Sequence, residues 1–246
     1  MKKFITVLAL CSIALPTLAQ QSTNEEYRSN IIKLDITAYW LYRNALNLTY
    51  ERMITPKQSL AITAGYQEFP RRRSLSQYYD WEGDNNKYGL KFGAEYRFYL
   101  TKENKYHAPH GIYLGPYFSN HTFYNDQTIT VTNNGTPEEV TMISNLNIFN
   151  VGAEVGYQFI IGDRWVVDMV IAGPSLSNYR IKLKMEGNSF NSEDLLNDIL
   201  IELIDRFPTI GDAIDDGEGV SNGKLDLWYY GWRYQCHVGY YFGRKK

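Results

Sequence analysis

The chain has 246 residues, a formal net charge of −2 and an aromatic content of 15%, with 21 Tyr, 11 Phe and 5 Trp. So small a net charge excludes the strong positive field that nucleic-acid-binding proteins use to attract their ligand. After the N-terminal segment, no apolar run reaches the ~18 residues that a transmembrane helix needs, so none is predicted.

The first 19 residues are typical of a secretory signal peptide. A positively charged start precedes an apolar run from Phe4 to about Leu15, and Ala19 ends a small-residue cleavage site. Residues 20–246 are then expected to form one exported domain. Cleavage removes one of the two cysteines and leaves Cys236 alone, so no intrachain disulfide is predicted.

Eight segments of the remaining chain alternate apolar and polar residues, and this period of 2 predicts β-strands. The longest unbroken alternation carries apolar residues at even positions, namely Tyr88, Leu90, Phe92, Ala94, Tyr96, Phe98 and Leu100. The predicted strands, in chain order, cover residues 31–40, 45–53, 59–69 and 87–100, a strand from about 111, a strand ending near 161, a strand from 164, and residues 227–242.

Three features favour a membrane barrel over a secreted lipocalin-like barrel or a β-sandwich. Large apolar residues occupy one face of nearly every strand, while Gly and charged residues share the other face. Short and long connections alternate, as in outer-membrane barrels. The chain also ends soon after an aromatic-rich strand. The predicted fold is all-β, an eight-stranded antiparallel up-and-down transmembrane β-barrel in the outer membrane of a Gram-negative cell, with periplasmic termini. A count of ten strands stays open.

Three segments resemble a family of small outer-membrane barrels from Bacteroidetes whose function is unassigned. They are Ile32-Lys33-Leu34-Asp35, the stretch from Asn44 to Arg52 with its Asn-x-Leu-Thr-Tyr-Glu-Arg string, and the stretch from Gly111 to Tyr117. More loosely, the chain is similar to eight-stranded barrels such as the OmpA transmembrane domain, OmpX and the PorT-like proteins. The resemblance implies a fold and a location, and it implies no catalytic residues.

Charged residues on the polar faces are expected to meet inside the barrel. They are Lys33, Asp35, Glu51, Lys91, Glu95, Arg97, Glu154, Asp168 and Arg233. Because an isolated buried charge is very costly, these groups should pair across the lumen. The first interpretation is a salt-bridge network that fixes strand register and plugs the barrel. The second is a proton or ion path along the same groups.

Residues 186–222, between the last two predicted strands, form an acidic loop. Its apolar residues recur at helical spacing and predict an amphipathic helix over 193–207, begun by Ser192 and ended by Pro208. The predicted partner-binding face comprises Leu196, Ile199, Leu200, Leu203, Ile204 and Phe207. The helix would cap its own barrel or bind another outer-membrane or surface protein. After it, Asp212, Asp215, Asp216 and Glu218 are weak candidates for Ca²⁺ ligands, although their spacing is not that of an EF-hand.

The loop between the third and fourth predicted strands contains three consecutive arginines, Arg71, Arg72 and Arg73. Arginine pairs well with phosphate, so lipopolysaccharide phosphates are a possible ligand, and a charged rim without a special role is the alternative. The expected surroundings are therefore outer-membrane lipid and lipopolysaccharide. No cofactor and no nucleic-acid partner is expected.

The sequence offers little for catalysis. Its histidines, His107, His110, His121 and His237, show no metal-ligand spacing and no evident Ser and carboxylate partners at one rim. We therefore expect no enzyme. The predicted function is a structural or binding barrel that acts through its extracellular loops, and the alternative is an accessory subunit of an outer-membrane secretion or uptake complex. A lipid A-modifying barrel enzyme and a small channel find less support.

Overall fold

The computed structural model describes residues 30–68, 85–100, 102, 104, 107–133, 136–162, 164–186, 220–221 and 224–242. Its strands are β1 (Asn30–Asp35), β2 (Arg43–Thr55), β3 (Gln58–Glu68), β4 (Asn85–Tyr99), β5 (Gly111–Asn133), β6 (Thr136–Ile161), β7 (Trp165–Glu186), β8 (Val220–Ser221) and β9 (Lys224–Tyr241). A short helix, α1 (Ile36–Leu41), follows β1.

Eight of these strands form a closed antiparallel ring. Neighbours in sequence pair from β1 to β7, β7 pairs with β9, and β9 returns to β1 through the register Ile31↔Tyr241 to Asp35↔His237. The two-residue β8 pairs only with the upper end of β9 and is not a member of the ring. The predicted eight-stranded up-and-down fold is confirmed, and the ring leaves few strand edges exposed.

The side chains alternate between the two faces of this wall as the sequence pattern predicts. On β4, Leu90 faces outward and is 58% exposed, whereas Lys91 and Arg97 face inward and are buried. The same holds on β9, where Trp228 and Tyr230 are exposed and His237 is buried. The barrel is therefore apolar outside and polar inside, the reverse of a soluble protein.

The connections differ between the two ends of the barrel. At one end β2 and β3 are joined by residues 56–57, and β6 and β7 by residues 162–164. At the other end, much longer stretches of sequence separate β3 from β4 and β7 from β8. The strands β5 and β6 also extend furthest there, pairing up to Asn133↔Thr136. By analogy with outer-membrane barrels, we call the second end the upper end.

The first strand is shorter than predicted. We expected residues 31–40 to alternate throughout, but β1 ends at Asp35 and α1 replaces its upper half. The Asp35 carboxylate accepts a hydrogen bond from the Ala38 backbone N–H at 3.0 Å, and so caps the helix. The backbone N–H of Tyr42 then donates to the Ala38 carbonyl at 2.9 Å. Apolar residues at alternate positions fit both structures, so periodicity alone missed the helix.

Candidate functional site in the barrel lumen

The nine charged residues predicted to face the lumen lie together in the lower half of the barrel, and all are buried or nearly so. They come from β1, β2, β4, β6, β7 and β9, so most contacts join segments distant in sequence. The alternation of each strand places them, because every second residue of a closed barrel points inward.

Arg97 is the centre of this network. Its guanidinium donates to Glu95 through Nε at 3.0 Å and through Nη2 at 2.5 Å, and Nη1 donates to Asp168 Oδ2 at 2.8 Å. The guanidinium also lies 4.2 Å from the ring centroid of Tyr113. One fully buried cation is thus held by two carboxylates and an aromatic face.

Lys33 supplies the second central cation. Its ammonium donates to Glu51 Oε2 at 2.7 Å and to Asp168 Oδ2 at 2.5 Å. Each of these two carboxylates also accepts a hydrogen bond from a tyrosine hydroxyl. Tyr99 donates to Glu51 at 2.7 Å, and Tyr113 donates to Asp168 at 2.7 Å. These carboxylates are therefore both paired and hydrogen-bonded, as buried ions need to be.

Two further pairs form the upper layer of the network. Lys91 donates to Asp35 Oδ2 at 2.9 Å, so the residue that caps α1 also holds a lumen cation. Arg233 donates to Glu95 and stacks on Tyr117, with its guanidinium carbon 4.6 Å from the ring centroid.

Glu154 is the loosest member of the network. Its oxygens lie 3.6 Å from Arg97 Nε and 3.4 Å from Arg233 Nη1, and neither oxygen has a hydrogen-bond partner among the described residues. The network holds five carboxylates against four cations, Lys33, Lys91, Arg97 and Arg233. The carboxylates therefore outnumber the cations by one, and Glu154 is the carboxylate with the fewest donors.

The lower end of the lumen is covered by apolar side chains. Met53, Tyr99, Ala108 and Tyr113 form a buried cluster there, to which the connection between β4 and β5 contributes Ala108. Gln158 links this cover to the network, because its Nε2 donates to the Tyr99 hydroxyl at 3.2 Å and its Oε1 accepts from the Lys33 ammonium at 3.2 Å. Tyr113 and Gln158 lie on predicted polar faces, but we did not assign them to the network from sequence; their inward parity was the available signal.

A second apolar cluster, which we call the upper cluster, fills the lumen above the charges. Its buried residues are Phe123, Leu146, Ile148, Tyr179, Ile181 and Leu227, and Tyr42 packs against them. Tyr42 stacks on Phe123 with a centroid distance of 5.5 Å. Between the network and this cluster lies a cavity of about 470 Å³ beside α1.

Two of the described histidines, His121 and His237, lie in or beside the lumen. His121 Nδ1 lies 2.9 Å from Gln67 Nε2, whereas the hydroxyl of Ser119, two residues away, accepts from Asn150 at 3.1 Å. His237 Nδ1 lies 3.8 Å from Asp168 Oδ2, deep in the charge network. In the described part of the chain, no group of three or more His, Cys, Asp or Glu residues has the geometry of a metal site.

Several predicted features lie outside the described residues. They are the signal peptide over residues 1–19, the arginines Arg71, Arg72 and Arg73, the helix over residues 193–207 and the Ca²⁺ candidates Asp212, Asp215, Asp216 and Glu218. Within the described ranges, no helix is long and apolar enough to cross a membrane.

The fold and its interior define a class, the small eight-stranded β-barrels whose lumen is occupied mainly by side chains. The chain belongs to the family described as "Protein of unknown function (DUF3575)", whose model matches residues 7–189. Comparison with curated proteins gives no match. Among solved structures, a major outer membrane protein from Thermus thermophilus is similar over 89% of this chain and 100% of that chain, with 11% identity and a TM-score of 0.36.

Proposed function

We propose that this chain is an outer-membrane β-barrel with a closed, non-conducting lumen, serving as a structural or binding barrel with periplasmic termini. The observation that carries the proposal is the inverted polarity of the wall. Large apolar side chains are exposed around the ring, including Leu46, Phe92, Val151 and Trp232. Monomeric soluble proteins rarely expose a continuous apolar surface of this extent.

The closed ring supports the same proposal. In a bilayer every backbone N–H and C=O must be satisfied within the protein, and antiparallel pairing achieves this around most of the ring. Aromatic residues gather near the lower end, where the Trp165 and Tyr240 rings meet edge to face with centroids 6.1 Å apart. Such residues suit the boundary between lipid and water.

A closed lumen follows from what fills it. The apolar lower cover, the charge network and the upper cluster succeed one another along the barrel axis. An eight-stranded barrel has an interior only wide enough for side chains. Because the charges are paired with one another, they are poorly suited to passing ions along, and we assign no catalytic role to them.

Cell fractionation together with heat-modifiable gel mobility tests the proposal. The full chain should be recovered in the outer membrane, and the unheated protein should migrate differently from the boiled one because a folded barrel resists detergent. Recovery in a soluble fraction, with identical mobility before and after boiling, would refute the proposed location and barrel.

A second candidate function is that of an accessory subunit of an outer-membrane secretion or uptake complex. It is favoured by the sequence of residues 186–222, in which ten acidic residues accompany an apolar helical stripe. Crosslinking in cells should then capture a stoichiometric membrane partner that is lost when residues 187–219 are deleted. Partners that persist after the deletion would exclude docking through this segment.

Lipopolysaccharide is a further proposed ligand, through Arg71, Arg72 and Arg73. Replacing all three by Ala should weaken binding of lipopolysaccharide to the purified barrel and reduce its salt dependence, because charge-assisted contacts to phosphate are lost. Replacing Lys57, Lys102 and Arg164, at the lower end of the barrel, is the matched control and should leave this binding unchanged. Equal effects of both triple substitutions would exclude the site.

A further inference from the structure

Among the described strands, the barrel wall is incomplete in its upper half, between β9 and β2. The strand β1 pairs with β9 only from His237 to Tyr241, and β8 pairs with β9 only at its upper end. Between these two pairings, this edge of β9 has no strand partner among the described residues. The upper residues of β2, from Arg43 to Asn47, likewise pair with β3 but not with β1.

The helix α1 occupies this interruption, and a hydrogen bond from the backbone of β9 ties the two together. The Cys236 backbone N–H donates to Thr37 Oγ1 at 2.7 Å. Ala38 is buried against the barrel, whereas Tyr39, Trp40 and Leu41 are exposed on the outer side. The wall is therefore closed here by a six-residue helix rather than by a ladder of backbone hydrogen bonds.

The cavity of about 470 Å³ lies directly behind α1 and reaches the outer surface beside it. Trp232 and Tyr234 line the cavity although both belong to the outward face of β9, where they are 65% and 63% exposed. Leu41, on the exposed side of α1, lines it as well. Trp232 and Tyr234 belong to the stretch of β9 that lacks a strand partner on this edge among the described residues, and Leu41 belongs to the helix that covers this stretch, so the opening is assigned to the side of the barrel.

The two other directions are filled. Below the cavity, Lys91 and Arg233 belong to the charge network and are paired with carboxylates. Above it, Ile148 and Tyr179 belong to both the cavity lining and the upper cluster. Among the described residues, the route into the cavity is therefore the lateral opening. In the proposed membrane location, this opening faces lipid.

The lining is amphipathic in a defined direction. Apolar and aromatic groups, Leu41, Trp232 and Tyr234, stand at the opening. The inner wall carries neutral hydrogen-bonding groups, Ser119, Asn150, Ser175, Ser177 and Gln235. This arrangement fits a ligand whose polar head lies inside and whose hydrocarbon chain leaves through the opening.

The charge balance selects the kind of head group. Both cations that line the cavity are already paired with a carboxylate, Lys91 with Asp35 and Arg233 with Glu95. The adjoining network already has five carboxylates for four cations, which disfavours a further negative charge in this low-dielectric interior. We propose that the cavity binds a neutral, hydroxyl-bearing single-chain amphiphile, with its head inside and its chain passing between α1 and β9 into the bilayer.

Photolabelling of the full chain in phosphatidylcholine nanodiscs tests this inference, which rests on the proposed membrane location. The probe is a monoacylglycerol with a diazirine on the chain carbon nearest the head. In the two cavity peptides, residues 175–179 and 231–235, labelling should fall on the inward residues Ser175, Ser177 and Gln235, which line the cavity. Outward residues such as Leu60 and Leu90 should be labelled as well, because they contact bulk lipid. A phosphatidylcholine carrying the same diazirine should label only the outward positions.

Competition separates a site from simple lipid contact. Unlabelled monoacylglycerol should abolish labelling of the cavity peptides saturably and leave Leu60 and Leu90 unaffected, whereas a fatty acid of equal chain length at pH 8 should compete at least about tenfold more weakly. Ser175→Leu, which fills the cavity, should lower cavity labelling by about tenfold or more. Ala94→Leu, on the outward face of β4, is the control and should change nothing.

The outcomes distinguish the two proposals. Labelling of the outward peptides without saturable labelling of the cavity would overturn the ligand site and leave the membrane location intact. Labelling of neither set would overturn the membrane location itself. Stronger competition by the fatty acid would refute the neutral head. The competition experiment uses the unmodified chain, so it tests the ligand site even if Ser175→Leu fails to fold.

Discussion

Removal of the Arg97 side chain is the sharpest perturbation of the lumen. Arg97→Ala deletes the bonds to Glu95 and Asp168, at 2.5–3.0 Å, and the stacking on Tyr113. The network changes from four cations and five carboxylates to three and five, in a region closed by side chains above and below. Removing one partner of a buried ion pair costs about 3–5 kcal/mol, chiefly because the remaining charge is left uncompensated.

An exposed ion pair provides the matched control. Arg180 Nε contacts Asp226 Oδ2 at 3.0 Å, but the two side chains are 56% and 59% exposed. Because water already solvates both charges, Arg180→Ala should reduce the free energy of unfolding by less than about 1 kcal/mol. The two variants remove the same side chain from pairs of similar length, so burial is the main difference between them.

The assay is urea unfolding of the barrel refolded into lipid vesicles, followed by tryptophan fluorescence and by heat-modifiable mobility. Arg97→Ala should lower the free energy of unfolding by at least about 2 kcal/mol more than Arg180→Ala. In the double variant Arg97→Ala/Asp168→Asn, the loss should be smaller than the sum of the single losses, because the second substitution removes a charge that the first leaves unpaired. Equal stability of Arg97→Ala and Arg180→Ala would refute a structural role for the network.

Three further predictions follow from the lumen and the wall. Glu154→Gln should leave stability unchanged or raise it, because neither Glu154 oxygen accepts a hydrogen bond from a described residue. Glu51→Gln should lower it by about 2 kcal/mol or more, because Glu51 accepts from Lys33, Ser59 and Tyr99. Equal losses in urea unfolding would contradict this difference between the two carboxylates. Gly115→Ala should prevent refolding in the mobility assay, because an added Cβ would collide with the Tyr96 carbonyl oxygen, and normal refolding would show that β4 and β5 do not approach so closely. Thr37→Val should remove about 1 kcal/mol from the docking of α1, and a membrane-soluble maleimide should then label Cys236 several-fold faster. Thr63→Val, on β3, is the control and should leave the labelling rate unchanged. Equal rates in the unmodified protein and both variants would argue against α1 as the local closure.

The strands and their orientation could be predicted from the sequence because a barrel wall imposes one rule along its whole length. A residue such as Lys91 lies between Leu90 and Phe92, and only one choice of faces keeps its charge out of lipid. The same reasoning applied to every strand places the nine charged residues in one lumen. Their individual partners depend on strand register and shear, which alternation does not encode.

The helix α1 could not be predicted from the alternation of apolar and polar residues. Ile36, Ala38 and Trp40 alternate as a strand would, so the pattern continued β1 beyond its true end. The deciding interactions are the bond from Ala38 N–H to Asp35 and the docking of Thr37 against Cys236, a contact between residues 199 positions apart. The cavity depends on this interruption of the wall, so it could not be predicted from the sequence either.

The central claim is a membrane barrel whose lumen is closed along its axis, and single-channel recording tests it most directly. The full chain, refolded and inserted into a planar lipid bilayer, should give no stable conductance steps at either polarity, while heat-modifiable mobility of the same sample shows that it is folded. Regular, long-lived open channels from the folded protein would contradict a lumen filled by the charge network and its two apolar covers.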